Sequence, residues 1–222
     1  MVNFNIAIDG PAGAGKSTIA KRIAKNLGFI YVDTGAMYRA MALYFLRNHL
    51  EATDSSRIDE ACSNVDVSIE HKDGEQLVLL NGENVNALIR TEEVGNMASA
   101  SAVNKTVRLK LVELQQSLAK RENVVMDGRD IGTYVLPHAD LKIYLTASSK
   151  VRARRRWTEL KEKGVNIDIN AIEADIVGRD QRDMNREFAP LKQAEDAILV
   201  DSSDMTIDEV IDKIMHYYKI RR

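Results

Sequence analysis

Apolar and polar positions along this chain switch between two periods, and the switches mark out its elements. Residues 6–9 form a short apolar run closed by an acid, the pattern of a strand buried on both faces. From 16 to 27 the period becomes helical, with Ile19, Ala20, Ile23, Ala24 and Leu27 on one face. A second strand is predicted at 29–32 and a helix at 35–48, with Asp33-Thr34 as its start signal. Further on, the pattern gives a helix at 105–121, strands at 124–126 and 142–145, helical periodicity at 170–186, a fifth strand at 197–200 and a closing helix at 206–218. Strands interleaved with helices predict an α/β fold of three layers, with a five-stranded parallel sheet covered on both faces.

Residues 64–90 break this rhythm. Positions 65–69 alternate as a half-buried strand does, Asp73-Gly74 is a hairpin signal, and 76–80 reads as the return strand. Asn81-Gly82 is a second turn, with a short third strand near Val85. The expectation is a small antiparallel sheet inserted into the α/β domain at about 62–102, of the kind that forms a substrate-binding flap.

The first strand runs directly into Gly10, Pro11, Ala12, Gly13, Ala14, Gly15, Lys16, Ser17 and Thr18, a G-x-x-x-x-G-K-S loop opening a helix. Strand, loop and helix together are far more specific than the bare pattern. The glycines let backbone N–H groups approach phosphate oxygens, aided by the positive end of the following helix. Lys16 is placed for the outer phosphates of ATP, and Ser17 for Mg2+, with Asp9 or Asp127 nearby through water.

Composition narrows the setting. A chain of 222 residues fits one domain, and a net charge of −2 implies no general attraction to nucleic acid or membrane. One cysteine, Cys62, admits no internal disulfide. No apolar run reaches the length of a membrane span, and the first strand begins where a leader's apolar core would stand. These features predict a cytoplasmic protein, and the absence of a large apolar stripe predicts a monomer. The four histidines have no metal-ligand spacing.

Three classes of phosphate-loop protein remain. A GTPase needs N-K-x-D, and Asn104-Lys105-Thr106-Val107 lacks the aspartate. A motor or transport ATPase places a glutamate directly after the aspartate of the second apolar strand. Here that strand ends in Asp127-Gly128-Arg129-Asp130. A small-molecule kinase needs cations for a second, anionic substrate and must exclude water. The arginines favour it. Ile172, Ile176, Arg179, Asp183 and Arg186 share one helical face that begins apolar and turns ionic, as the wall of a phosphate-filled cleft would. Arg182 lies beside them, whereas Asp180 and Glu187 read as a solvated, ion-paired face. Arg152, Arg154, Arg155 and Arg156 suit a mobile lid at about 152–168 that brings guanidinium groups onto a triphosphate.

With these motifs placed, the sequence resembles the bacterial-type cytidylate kinases, a family of P-loop nucleoside monophosphate kinases. The resemblance spans essentially the whole chain, through residues 10–18, 33–39, 89–94, 127–133 and 179–186. It implies transfer of the γ-phosphoryl group of ATP to CMP or dCMP with Mg2+, in pyrimidine nucleotide metabolism. By the same resemblance, Thr34, Arg39 and Arg129 hold the CMP phosphate, and Ser99, Arg108 and Asp130 read cytosine. Asp183 meets the ribose, Arg186 completes the pocket, and Arg156, Arg179 and Arg182 close over the transferring group. Two alternatives stay open: a kinase for UMP or dTMP, and a nucleic-acid-stimulated ATPase.

Overall fold

The computed structural model describes residues 3–72 and 75–222. Its elements run β1 (Asn5–Asp9), α1 (Lys16–Leu27), β2 (Ile30–Asp33), α2 (Thr34–Arg47), α3 (Ser55–Asn64), β3 (Val67–Lys72), β4 (Glu75–Leu80), β5 (Glu83–Asn84), α4 (Glu92–Ser101), α5 (Lys105–Arg121), β6 (Val124–Gly128), a π-helical turn (Ile131–Val135), β7 (Leu141–Thr146), α6 (Ser149–Glu162), α7 (Ile169–Asn185), β8 (Ile198–Asp201) and α8 (Ile207–Arg221).

The main sheet is five-stranded and parallel, in the order β2-β6-β1-β7-β8. Successive side chains of a strand point to opposite faces. Ile6 and Ile8 therefore pack with Ile19, Ile23, Val210 and Ile214 of α1 and α8, while Ala7 joins Met37, Met41, Leu111 and Val112 of α2 and α5. The expected three layers are present. Because β1 is central, its acidic end and the loop that follows emerge in the middle of the sheet's carboxyl edge. Open α/β sheets bind their ligands outside that edge.

The inserted sheet is antiparallel in the order β3-β4-β5. The Asp73-Gly74 turn signal lies outside the described residues. The first of its strands begins at Val67 rather than at 65. α3 runs through Asn64 and continues into the Val65 N–H, which donates to the Ala61 carbonyl, so the strand cannot start earlier. The short third strand lies at Glu83–Asn84, just before Val85. Gln76 fastens this sheet to the edge of β2: the Asp33 N–H donates to its Oε1 (2.8 Å) and its Nε2 donates to the Asp33 carbonyl (3.2 Å).

Local signals explain most boundaries. Asp33 caps α2 by accepting from the Ala36 N–H at 2.9 Å. α8 opens on a capping box between Thr206 and Glu209. Two helices absent from the pattern reading, α3 and α4, are capped by Asp54 and Thr91. Among the described residues no helix is long and apolar enough to cross a membrane.

Candidate active site

The loop between β1 and α1 is shaped by its surroundings as much as by its own sequence. Gly10 has φ 149°, and a β-carbon there would lie 1.9 Å from the Leu145 carbonyl oxygen of β7. Only glycine lets the loop turn this close to the neighbouring strand. Lys16 is buried, and its Nζ donates to the Pro11 carbonyl at 2.8 Å. Burial, aided by the nearby Arg129 cation, pushes its pKa down to about 7 against the opposing pull of Asp127 and Asp9.

Behind the loop, Asp127 is the last residue but one of β6. Ser17 Oγ donates to its Oδ2 (3.0 Å) and the Tyr31 hydroxyl to its Oδ1 (2.9 Å). Burial pushes this carboxyl up to about 6, with Asp33 adding to the rise. Asp9 is committed differently. Its two oxygens accept from the Ile131 N–H (2.8 Å) and the Gly132 N–H (2.7 Å), so it anchors the π-helical turn. Of the two carboxylates named for the metal, the structure brings Asp127 onto Ser17 and ties Asp9 to backbone. The Thr34 hydroxyl donates its one proton to the Asp127 carbonyl at 2.7 Å.

Facing the loop is a run of alternating charges. Arg108, 1 % exposed, donates to Asp130 Oδ2. Arg186 Nη2 lies 3.2 Å from Asp130 Oδ1, close enough for attraction but off the line of a hydrogen bond. Arg186 Nη1 is 3.9 Å from Asp183 Oδ1, and Arg129 Nε donates to Asp183 Oδ2 at 2.8 Å. The series Arg108–Asp130–Arg186–Asp183–Arg129 thus joins the starts of α5 and the π-helical turn to the end of α7. Arg129 and its neighbouring arginines hold the Asp183 carboxyl below its ordinary range despite burial. Arg108 also lies over the Tyr38 ring, 5.4 Å from its centroid, and its Nε has no hydrogen-bond partner among the described residues.

Several expected site residues sit apart from this network. Arg39 and Arg179 are half-buried nearby, and Arg129 helps burial to depress the Arg179 guanidinium. Ser99 is half-buried on α4, and among the described residues no hydrogen bond joins it to Arg108. Arg182 and Arg156 are exposed, with Arg156 paired to Glu159 at 3.3 Å on its own helix.

The α6 arginines divide rather than act as one group. Arg155 holds the Ser202 carbonyl at 2.7 Å, and Arg152 is buried against Asp180. The solvated reading of Asp180 is corrected: it is 6 % exposed and accepts from the Ala12 N–H of the loop. Its step of four from Ile172 and Ile176, both buried, was the signal for this. Tyr31 was also missed, because its hydroxyl reaches Asp127 only through the β2–β6 pairing.

A phosphate loop at the carboxyl edge of a parallel sheet, with an arginine-rich run of buried ion pairs near it, defines a P-loop kinase. Solved structures agree at the level of fold. A gluconokinase from Sinorhizobium meliloti 1021 superposes with TM-score 0.52 at 13% identity, covering 99% of this chain and 94% of that one. A shikimate kinase from Bacteroides thetaiotaomicron gives 0.50 at 14% identity, covering 97% and 98%. Sequence comparison is more specific. The family profile described as cytidylate kinase matches residues 6–220. The cytidylate kinase of Caldicellulosiruptor bescii is 52% identical over 99% of this chain and 98% of its own, and that of Lactobacillus gasseri 50% identical over 96% and 94%. The chain belongs to the cytidylate kinase family.

Proposed function

We propose that the protein transfers the γ-phosphoryl group of ATP to CMP and dCMP. The observation that carries this reading is the buried Arg108–Asp130–Arg186 group, continued through Asp183 to Arg129, the two whose charges act on Lys16. Cytosine presents an amino donor beside a ring acceptor. Asp130 accepts from the first and Arg108 donates to the second. Uracil reverses both groups, leaving two buried partners unmatched.

On this reading Lys16 and the loop amides hold the outer phosphates. The Ser17–Asp127 contact fits Mg2+, because both are hard oxygen ligands already within 3.0 Å of each other. When bound, that ion neutralises phosphate charge and orients the triphosphate. Arg129 and Arg39 hold the acceptor phosphate, and Arg179 adds charge between the two substrates. Thr34 joins them only if its proton turns from the Asp127 carbonyl to the phosphate. Asp183 meets the sugar and Ser99 assists the base. Arg156 and Arg182 reach the transferring group only after movement of their helices; we read residues about 152–168 as the lid and the segment 62–102 as the monophosphate-binding flap. No general base is needed, because a phosphate oxygen of CMP is already anionic near neutral pH. Catalysis then reduces to alignment and charge neutralisation.

A coupled assay of ADP release over the common monophosphates tests this. CMP and dCMP are expected to exceed UMP and dTMP in kcat/KM by a factor on the order of 10⁴ in a dry site. A preference for UMP or dTMP overturns the base assignment. ATP hydrolysis that requires RNA or DNA, with no CDP formed, overturns the kinase reading.

A further inference from the structure

Ala12 stands inside the phosphate-binding loop, and both of its backbone groups are held from outside it. Its N–H donates to Asp180 Oδ1 of α7 at 3.1 Å, and its carbonyl accepts from Arg152 Nη1 of α6 at 2.8 Å. The two side chains close the ring through an ion pair of 2.7 Å, and Arg152 Nε is fixed in turn by the Ala147 carbonyl at 2.8 Å. Both residues are 6 % exposed. The stem of Arg152 lies against the next residue of the loop, with its Cβ 3.5 Å from where a β-carbon on Gly13 would stand.

The two helices are also bound to each other. Ala153, Ile172 and Ile176 form a small core of their own, with Trp157 and Leu160 packed against it. Any rotation of α6 and α7 as a unit therefore pulls on the two successive peptide groups that flank the Ala12 Cα. A buried ion pair adds little net stability over an apolar pair, yet it demands a single geometry because each partner needs the other. The guanidinium makes this more restrictive, since its planar fork serves Ala12, Asp180 and Ala147 together.

We propose that Arg152 and Asp180 are positioning residues for the donor nucleotide, linking the placement of α6 and α7 to the shape of the phosphate loop. This rests on the reading of the loop as the ATP site. Neither residue needs to touch the nucleotide. Asp180 instead fixes which way the Ala12 amide faces, and Arg152 fixes Asp180.

The test uses Asp180→Asn, which keeps an acceptor for the Ala12 N–H but removes the charge, and Arg152→Lys, which keeps the charge but not the fork. ATP and CMP binding are measured separately by calorimetry. Trp157, the only tryptophan, reports on α6 by its emission. Each variant is expected to weaken ATP about tenfold while CMP affinity stays within about twofold. The double variant is expected to be no worse than the poorer single one, because the two residues act as one link. Saturating ATP is expected to shift Trp157 emission in the unaltered protein, and by less than about half as much in either variant.

Equal losses for ATP and CMP, an undiminished emission shift at saturation, or no shift in the unaltered protein overturns the link. If Asp180→Asn does not fold, Arg152→Lys carries the same comparison. Failure of the unaltered protein to bind ATP at all overturns the donor-site reading instead.

Discussion

On the proposed reading, the two halves of the active site solve the problem of holding phosphate by opposite means. The donor half is a backbone device. Its loop is shaped by Gly10 against Leu145 and by amides, with a single lysine folded back onto Pro11. The acceptor half is a side-chain device, in which three arginines pair with two aspartates before any substrate arrives, leaving one net positive charge. Amides recognise any polyphosphate, so the donor half sets little beyond charge and shape. Paired side chains can be matched to one base, so on this reading specificity belongs to the acceptor half. The difference also predicts how each half fails. Removing a donor-side charge removes catalysis, whereas removing an acceptor-side charge strands its buried partner.

The largest effect is expected at the donor. Lys16→Ala should lower kcat by about 10³ or more, leaving CMP affinity and the thermal midpoint nearly unchanged. Steady-state kinetics beside CMP calorimetry checks this, and near-normal turnover would dissolve the contrast. Next, Asp130→Ala should lower kcat/KM for CMP by roughly 10²-fold while ATP affinity holds. It should also reduce stability by about 3 kcal/mol, since Arg108 loses its buried counter-charge. Urea unfolding gives the second figure, and equal loss of both substrates would mean that the halves are not separable. A smaller effect, about tenfold in kcat, is expected for Arg156→Ala. Its exposed pair with Glu159 adds little to stability, so pre-steady-state transfer rates are the informative measurement.

The smallest signal is a fraction of a proton. Burial holds Lys16 near 7 in the free protein, so at pH 8 it is mostly neutral. A neighbouring triphosphate favours the charged form and raises that pKa. ATP binding at about pH 8 should therefore take up protons, and its affinity should fall as pH rises further. At pH 5 the lysine is already charged and contributes no uptake. Calorimetry in buffers of differing ionisation enthalpy reads this directly, and Lys16→Ala should abolish it.

The same contrast governs what could be seen in the sequence. The donor half is contiguous, so its strand, loop and helix were legible from periodicity and glycine placement, with α1 bounded at the expected residues. Arg179, Asp183 and Arg186 were legible as one ionic face running to the end of α7, because Ile172 and Ile176 fixed which way that face turned. Arg108 and Arg129 took their roles only from the family resemblance. Contacts between distant segments were not. Asp180 resembles any polar helix residue until α7 lies on the loop, and Tyr31 resembles a core residue until β2 pairs with β6. α3 escaped because only Ile58, Ala61 and Cys62 face inward, too few positions to establish a period. Arg182 lies in a family motif and Arg156 was assigned by resemblance among adjacent arginines, yet both are exposed here, since resemblance fixes residue type and not the placement of a helix.

The central position of β1 also bears on how the molecule is made. Its hydrogen-bonding neighbours are β6, where Asn5 faces Val124, and β7, where Ile6 faces Leu141. A chain leaving the ribosome presents β1 first, yet both flanks of that strand are synthesised more than a hundred residues later. Until then Ile6 and Ile8 have no sheet to enter, and β2 offers none, because β6 separates it from β1 in the finished order. Such long-range pairing is slow and leaves apolar strand edges open to association. A nascent or truncated chain ending before Val124 therefore carries the complete glycine-rich motif and no working nucleotide site. During translation that segment is an unpaired apolar strand before it is part of an enzyme.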